Sequence, residues 1–215
     1  APADPVSERQ LRLLDAMRPG GTRSETLAED PPIRLVRGLF SHDECRYLSE
    51  LAGPALRPSI VVDPATGRGR PDPVRTSHGM NFGPAQEDLV VQALNRRIAE
   101  ASGTDPACGE PLHVLRYAPG QEYRPHLDAL PAAANQRAWT LLVWLNEGYE
   151  GGATRFEALG IEAKGGAGDA LVFRNVTEDG RGDPRTRHAG LPVTGGVKWL
   201  ASRWIRERPF DPFAP

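Results

Sequence analysis

Cysteine is scarce: Cys45 and Cys108 are the only two in 215 residues, and they form no spaced framework. A disulfide scaffold is therefore not expected, and a reducing, cytoplasmic compartment fits best. Long apolar runs are missing as well. No stretch approaches the roughly 18 apolar residues that read as a membrane span. An excess of one charge is also missing. Lys plus Arg number 26 against 28 Asp plus Glu, a net of −2, so nothing global points to nucleic acid or a membrane, although local basic clusters stay open. The opening APADPVSERQ has no basic stretch followed by an apolar one and does not read as an intact signal peptide. No internal repeat is visible. What the chain does hold is 23 Gly and 21 Pro, which imply many turns and favour a β-rich fold over a helical bundle. Its length suits one domain, or one domain with an extension.

Periodicity divides the chain. SERQLRLLDAM (7–17) carries apolar residues at 11, 13, 14 and 17 behind Ser7, a candidate N-cap, and predicts a short amphipathic helix. Residues 20–32 are polar, end in Pro-Pro and read as a linker, so 1–30 is set apart as helix and linker and 31–215 as the domain. IRLVRGLF (33–40) reads as extended. SHDECRYLSELAG (41–53) reads as a helix capped by Ser41 and stopped by Gly53, and 85–103 as a second helix ending in Gly. The Gly/Pro/Arg-rich stretch 62–73 reads as a mobile loop. From 112 the pattern turns strand-like: 112–117, 122–128, 139–146, 153–157, 169–175, 186–193 and 197–205, separated by turn residues. Helices followed by about eight short strands predict a mainly β, α+β fold with helices buttressing a sandwich or jelly roll.

Within LRYAPGQEYRPHLDAL (115–130), His126 and Asp128 stand two apart. On a strand they share a face while Leu127 points the other way. Two His and one carboxylate on one face of an octahedron leave three positions open, which suits non-haem Fe(II) and oxygen chemistry. The histidines are His42, His78, His113, His126 and His188. His42 follows a helix cap and is expected at the surface; His113 lies between Leu112 and Val114. His188, 60 residues beyond Asp128 (188 − 128), is the best third ligand. Taken alone, a His-x-Asp pair is more often a solvated polar pair. Lys198 adds weight. Past Thr194-Gly195-Gly196, parity puts Lys198, Leu200, Ser202 and Trp204 on one face, and 186–193 with 197–205 reads as a hairpin. An inward lysine needs an anionic partner, because an unpaired buried ammonium is costly. A dicarboxylate co-substrate would supply one; a solvent-facing Lys198 beside the turn is the other reading.

The stretch Glu110, Leu115-Arg116-Tyr117, Gly120-Gln121-Glu122-Tyr123 and His126-Leu127-Asp128 resembles the iron-binding segment of bacterial-type prolyl 4-hydroxylases. Gln136-Arg137, Leu145-Asn146, Gly151 to Phe156, Gly168 to Phe173, His188 to Val193, Lys198-Trp199 and Trp204 follow in the same order. Arg75-Thr76-Ser77 resembles the family's Arg-x-Ser element ahead of its lid. The likeness spans roughly 33–206. It implies a double-stranded β-helix, a jelly-roll and cupin-like core, and an enzyme using Fe(II), 2-oxoglutarate and O2, with ascorbate as a candidate reductant and succinate and CO2 as products. It implies iron ligation by His126, Asp128 and His188. Lys198 would pair with the distal carboxylate of 2-oxoglutarate, with Tyr117 and Thr154 as further co-substrate contacts. Arg137, Trp204 and Tyr123 are implied on the substrate side.

The sequence departs from the common pattern at Leu127, where an aromatic is usual, at Trp144, where Tyr is usual, and in the short segment ALPAAANQ (129–136). These changes leave the iron chemistry intact and bear on the substrate. A prolyl residue in a peptide or protein, for which 62–73 would be the lid, is the first expectation. A free amino acid or other small molecule is the second. A binding module that kept the fold is the third, opposed by the intact His126, Asp128, His188 and Lys198. Nucleic acid is not expected as a partner. The role of 1–30, as a barrel cap, a dimer contact or a domain tail, is open.

Overall fold

The computed structural model describes residues 4–17, 23–62, 69–71 and 74–213. Most of the stretch expected as a lid, 63–68 and 72–73, lies outside the described residues. In chain order the strands are β1 Arg23–Ala28, β2 Ile33–Arg37, β3 Arg57–Pro58, β4 Ile60–Val62, β5 Gly69–Pro71, β6 His78–Asn81, β7 His113–Tyr117 and β8 Tyr123–His126. There follow β9 Arg137–Trp144, β10 Glu150–Gly151, β11 Thr154–Phe156, β12 Ile161–Ala163, β13 Ala170–Arg174, β14 His188–Gly190, β15 Val193–Gly195 and β16 Lys198–Arg206. The helices are α1 Pro5–Ala16, α2 His42–Ala52 and α3 Leu89–Ser102.

Two sheets build the core. The larger has eight strands in the order β1-β2-β13-β9-β16-β7-β6-β3, and the smaller has four in the order β12-β11-β14-β8. Strand alternation assigns each side chain of the large sheet to one of two faces. One face of β9, β13 and β16 presents Leu141, Val143, Ala170, Val172, Ala201 and Ile205, which pack against Leu48, Leu94 and Ile98 of α2 and α3. The other presents Leu142, Trp144, Leu171, Phe173 and Leu200, which meet Phe156 and Ala163 of the small sheet. The large sheet is thus shared by a helix-covered core and a barrel-like interior between the sheets, and parity decides which side chains reach that interior.

Local chemistry sets the helix ends. Ser41 and Glu44 form a reciprocal capping box on α2. Glu44 is buried and accepts two bonds from Arg97 of α3, at 2.8 and 3.0 Å, which ties the helices together. Gly103 ends α3 in the left-handed conformation at φ 67°. α2 stops at Gly53 as expected, but not through a left-handed turn: Gly53 is right-handed and leads into a 3-10 turn, Gly53–Ala55, where Pro54 removes the donor that another helical bond needs. The cap of α1 is Asp4, whose side chain accepts from the Ser7 backbone at 3.1 Å, and α3 begins at Leu89 behind Asp88, four residues later than the periodicity predicts.

Two expectations are corrected. The polar 20–32 segment holds strand β1, which pairs antiparallel with β2 and covers the edge of the large sheet. Its side chains are largely exposed, so no apolar alternation marked it in the sequence. The hairpin of 186–193 with 197–205 does not form. β14 pairs with β8 and β11 in the small sheet, while β16 lies between β7 and β9 in the large one. The chain crosses between sheets there, and β15 pairs with β10.

Candidate metal and co-substrate centre

His126 ends β8 and His188 begins β14, and the two are direct cross-strand partners. That register brings residues 62 apart in sequence (188 − 126) side by side, with ring centroids 4.3 Å apart. Asp128 follows two residues after His126, while Leu127 turns outward and is 40% exposed. One ligand atom from each of His126, Asp128 and His188 lies within 4.8 Å of the others. Nε2 of His126 is 3.5 Å from Asp128 Oδ1, and Nε2 of His188 is 3.7 Å from Asp128 Oδ2.

The outer ring nitrogens are occupied. His126 Nδ1 lies 2.8 Å from the Arg124 carbonyl and His188 Nδ1 lies 3.0 Å from that of Thr186. A carbonyl only accepts, so both Nδ1 atoms carry hydrogen and a neutral ring then offers its Nε2 lone pair inward. Burial and the adjacent His126 push His188 down to about 4, which keeps it neutral. Burial alone would raise the Asp128 carboxyl. The two imidazoles beside it, whenever they are protonated, and the bond from Thr140 outweigh it and hold the group well below the usual carboxylate range. Two imidazoles with Nε2 turned inward and one carboxylate converging on a point are the donor set that a non-haem Fe(II) site takes. The short Nε2–Oδ distances therefore mark three side chains converging on one point rather than ion pairs.

A cleft runs from this triad to Lys198. Its walls include Tyr117, Tyr123, Thr154, Leu115, Leu142 and Trp204. Lys198 is 3% exposed, its Nζ donates to the Gly152 carbonyl at 2.6 Å, and it stands 5.5 Å from the Tyr117 ring centroid. Among the described residues no carboxylate pairs with it. Burial, with Lys164 second, pushes it down to about 7. An ammonium held this way calls for an anion from outside the chain, and a dicarboxylate spanning from the triad to Lys198 would supply one. The residues present therefore fit both Fe(II) and 2-oxoglutarate.

The other expected residues separate into two groups. Tyr117, Thr154, Tyr123 and Trp204 line the cleft, and Tyr123 stacks on the His126 ring at 3.5 Å and 14°. Arg137 does not line it. Glu110 grips the Arg137 guanidinium through bonds of 2.6 and 2.8 Å, and the guanidinium carbon sits 3.9 Å from the Trp204 ring centroid. It therefore acts on the cleft through that indole. His42 is exposed as expected, while His78 and His113 lie on the large sheet away from the triad. Burial, then Arg75 and Arg137, pushes His113 well below the usual imidazole range.

Arg75, which the sequence marked only as part of an Arg-x-Ser element, is 7% exposed, lines the cleft, stands 4.9 Å from the Tyr123 ring centroid and reaches His113 Nδ1 at 3.3 Å. Sequence reasoning passed over two further polar residues. Thr140 and Asn175 bond in series behind Asp128. The usable signal for these two was parity, since Thr140 shares the inward face of β9 with Leu142, as Asn175 shares that of Leu171 and Phe173. A polar residue on an otherwise apolar inward face asks for a polar partner.

Residues 112–206 match the 2OG-Fe(II) oxygenase superfamily. Prolyl 4-hydroxylase 1 of Arabidopsis thaliana is 36% identical over 213 residues, covering 90% of this chain and 75% of that protein. Prolyl 4-hydroxylase subunit alpha-2 of Caenorhabditis elegans is 34% identical over 193 residues, covering 86% of this chain and 36% of that one. A solved structure of the viral collagen prolyl hydroxylase of Paramecium Bursaria Chlorella virus-1, in complex with 2OG, superposes with a TM-score of 0.64 at 29% identity, over 81% of this chain and 95% of that one. A Pseudomonas putida prolyl-4-hydroxylase superposes at 0.57 with 20% identity, over 93% of this chain and 99% of that one, which speaks for the fold.

Proposed function

The chain belongs to the 2OG-Fe(II) oxygenase superfamily, among the prolyl 4-hydroxylases, and from that premise we propose that it hydroxylates prolyl residues in a peptide or protein. The observation that carries the reading is the single cleft with His126, Asp128 and His188 at one end and the unpaired Lys198 at the other. His126, Asp128 and His188 would hold Fe(II). Lys198 would take the distal carboxylate of 2-oxoglutarate, and Tyr117 and Thr154 would contact the same molecule. Fe(II), 2-oxoglutarate and O2 together supply the oxidation of a substrate C–H bond, with succinate and CO2 released.

The protein's share of the work is positioning and exclusion of water. Tyr123 flanks His126, and Trp204, set by Arg137 and Glu110, walls the substrate side. Apolar and aromatic walls suit a pyrrolidine ring, and an extended proline-rich segment is the ligand form such a groove accepts. The free, buried Cys45 and Cys108 fit a reducing compartment. No helix among the described residues is long and apolar enough to cross a membrane.

The short 129–136 segment favours a second reading, hydroxylation of a free amino acid or similar small molecule. Gln136 bonds both the amide and the carbonyl of Leu130 at 2.7 Å, which ties this segment down and leaves little chain to arch over a peptide. The test is a substrate panel. With Fe(II) and 2-oxoglutarate, the wild type is expected to form succinate and to add 16 Da to a proline-rich peptide in preference to free proline. Succinate at the same background level in wild type and His126→Ala would remove the enzyme reading. Modification of free proline alone would replace the peptide reading with the second.

A further inference from the structure

Asp128 carries more responsibility than either histidine, because a carboxylate can bind a metal in more than one way. It can offer Oδ1, offer Oδ2, or chelate with both. The choice matters here by simple counting. Three protein atoms would leave three positions of a six-coordinate metal for co-substrates, and a chelating Asp128 would take one of those away.

The environment of Asp128 limits that choice. Thr140, on β9, is fully buried, and its Oγ1 lies 2.7 Å from Asp128 Oδ2. Asn175, just beyond β13 and 1% exposed, places Nδ2 at 2.8 Å from the same Thr140 oxygen. An amide NH2 only donates and an ionised carboxylate only accepts. The Thr140 oxygen must therefore accept from Asn175, and its one hydrogen is left for Asp128. Reversing the Asn175 amide would draw that hydrogen away and leave a buried carboxylate short of a donor, so the series runs Asn175 to Thr140 to Asp128. The backbone fixes the far end: the Asn175 amide donates to the Ala138 carbonyl at 2.8 Å, and its carbonyl accepts from Asp183 at 2.9 Å.

We propose that Thr140, oriented by Asn175, is the positioning residue of the metal site, tying down Asp128 Oδ2 so that Oδ1 is the single carboxylate ligand atom. This rests on the reading of His126, Asp128 and His188 as an iron site. It adds a specific role for two residues that touch neither the metal nor the co-substrate.

Titration of the full chain with Co(II) alone tests it without turnover. Thr140→Val keeps the shape and removes the hydroxyl. It is expected to weaken Co(II) binding about 10- to 100-fold, the usual effect of losing a partner of a ligand, and to change the Co(II) d–d absorption at saturating metal. Thr140→Ser keeps the hydroxyl and is expected within about threefold of wild type. Asn175→Ala is expected to weaken binding less. Because Asn175 acts through the hydroxyl, the Thr140→Val/Asn175→Ala double variant should bind no more weakly than Thr140→Val alone. A residue that merely fills space would lower the melting temperature without moving the spectrum. Wild-type affinity and spectrum in Thr140→Val, or additive losses in the double variant, would overturn the proposal. If Thr140→Val does not fold, unchanged Co(II) affinity in Asn175→Ala overturns it equally. Failure of the wild type to bind Co(II) at all would instead remove the iron-site reading on which it rests.

Discussion

Lys198 is an ammonium in a place chosen for a salt bridge that the chain does not provide. Its folded value of about 7 lies below the ordinary 10.5. Between those values the unfolded chain binds more protons, so folding stability rises with pH across that window. Below about pH 7 the lysine is charged in both states and the whole burial cost is present. Two outcomes follow. At pH 8 the free site is mostly neutral, and pairing with a carboxylate restores the charge, so binding of 2-oxoglutarate should take up close to one proton. Titration calorimetry in buffers of different ionisation enthalpy reads that number, and zero uptake would show that Lys198 is not the partner. In the absence of ligand, Lys198→Met should raise the melting temperature by roughly 5 °C at pH 6, with the gain fading towards pH 10, while 2-oxoglutarate affinity is lost. At this scale much was legible. Parity and spacing named His126, Asp128, His188 and Lys198 as candidates and left a solvated pair and a solvent-facing lysine open; the family resemblance joined them, and the structure brings ligand atoms of the first three within 4.8 Å of one another. Thr140 was passed over, because a threonine within WTLLVW also suits a strand for its shape alone, and parity was its one signal.

The element that holds His188 is the 3-10 turn Pro184–Thr186, and its geometry comes from one buried carboxylate. Asp183 accepts from the Arg185 amide at 2.9 Å, its carbonyl accepts from the Thr186 hydroxyl at 2.7 Å, and the Thr186 carbonyl in turn orients His188 Nδ1 at 3.0 Å. Arg185 also reaches Asp30, but that partner is 79% exposed at its side chain and contributes little. Asp183→Ala should therefore weaken Co(II) binding by about tenfold, whereas Asp30→Ala should leave it within about twofold. Equal affinities in a metal titration of the two variants would mean that the turn does not set the imidazole. Nothing in GRGDPRTRHAG announced this arrangement, since Asp-Pro reads first as an ordinary turn. The same limit explains the two misassigned elements. Thr194-Gly195-Gly196 is a strong turn signal, yet β16 takes its partners from β7 and β9, far away in sequence. β1 is mostly polar and exposed, and the open edge of β2 makes it a strand.

Across the whole molecule, one eight-stranded sheet separates two environments, a helix-backed apolar core and, between the sheets, a cleft with apolar and aromatic walls and ionisable groups at its two ends. Fold class was readable because the strands keep their alternation and the helices keep their apolar stripes. The division of strands between the sheets was not, because it depends on which edge each strand finds. This arrangement places the site across the seam, with His126 and His188 on the small sheet and Lys198 on the large one. A ligand that touches both ends therefore clamps the sheets together and must report in global stability. With Co(II) and 2-oxoglutarate each at about one hundred times its Kd, linkage gives about 2.7 kcal/mol per ligand. For a chain of this size that amounts to a rise in melting temperature of about 10 to 20 °C with both bound, reversed by a chelator. The increments should depend on each other, because the oxo-acid end of 2-oxoglutarate needs the metal. In His126→Ala the Co(II) increment should vanish and most of the 2-oxoglutarate increment with it. An equal rise in that variant would place the binding elsewhere, and a 2-oxoglutarate increment that survives without metal would mean that Lys198 alone holds the dicarboxylate.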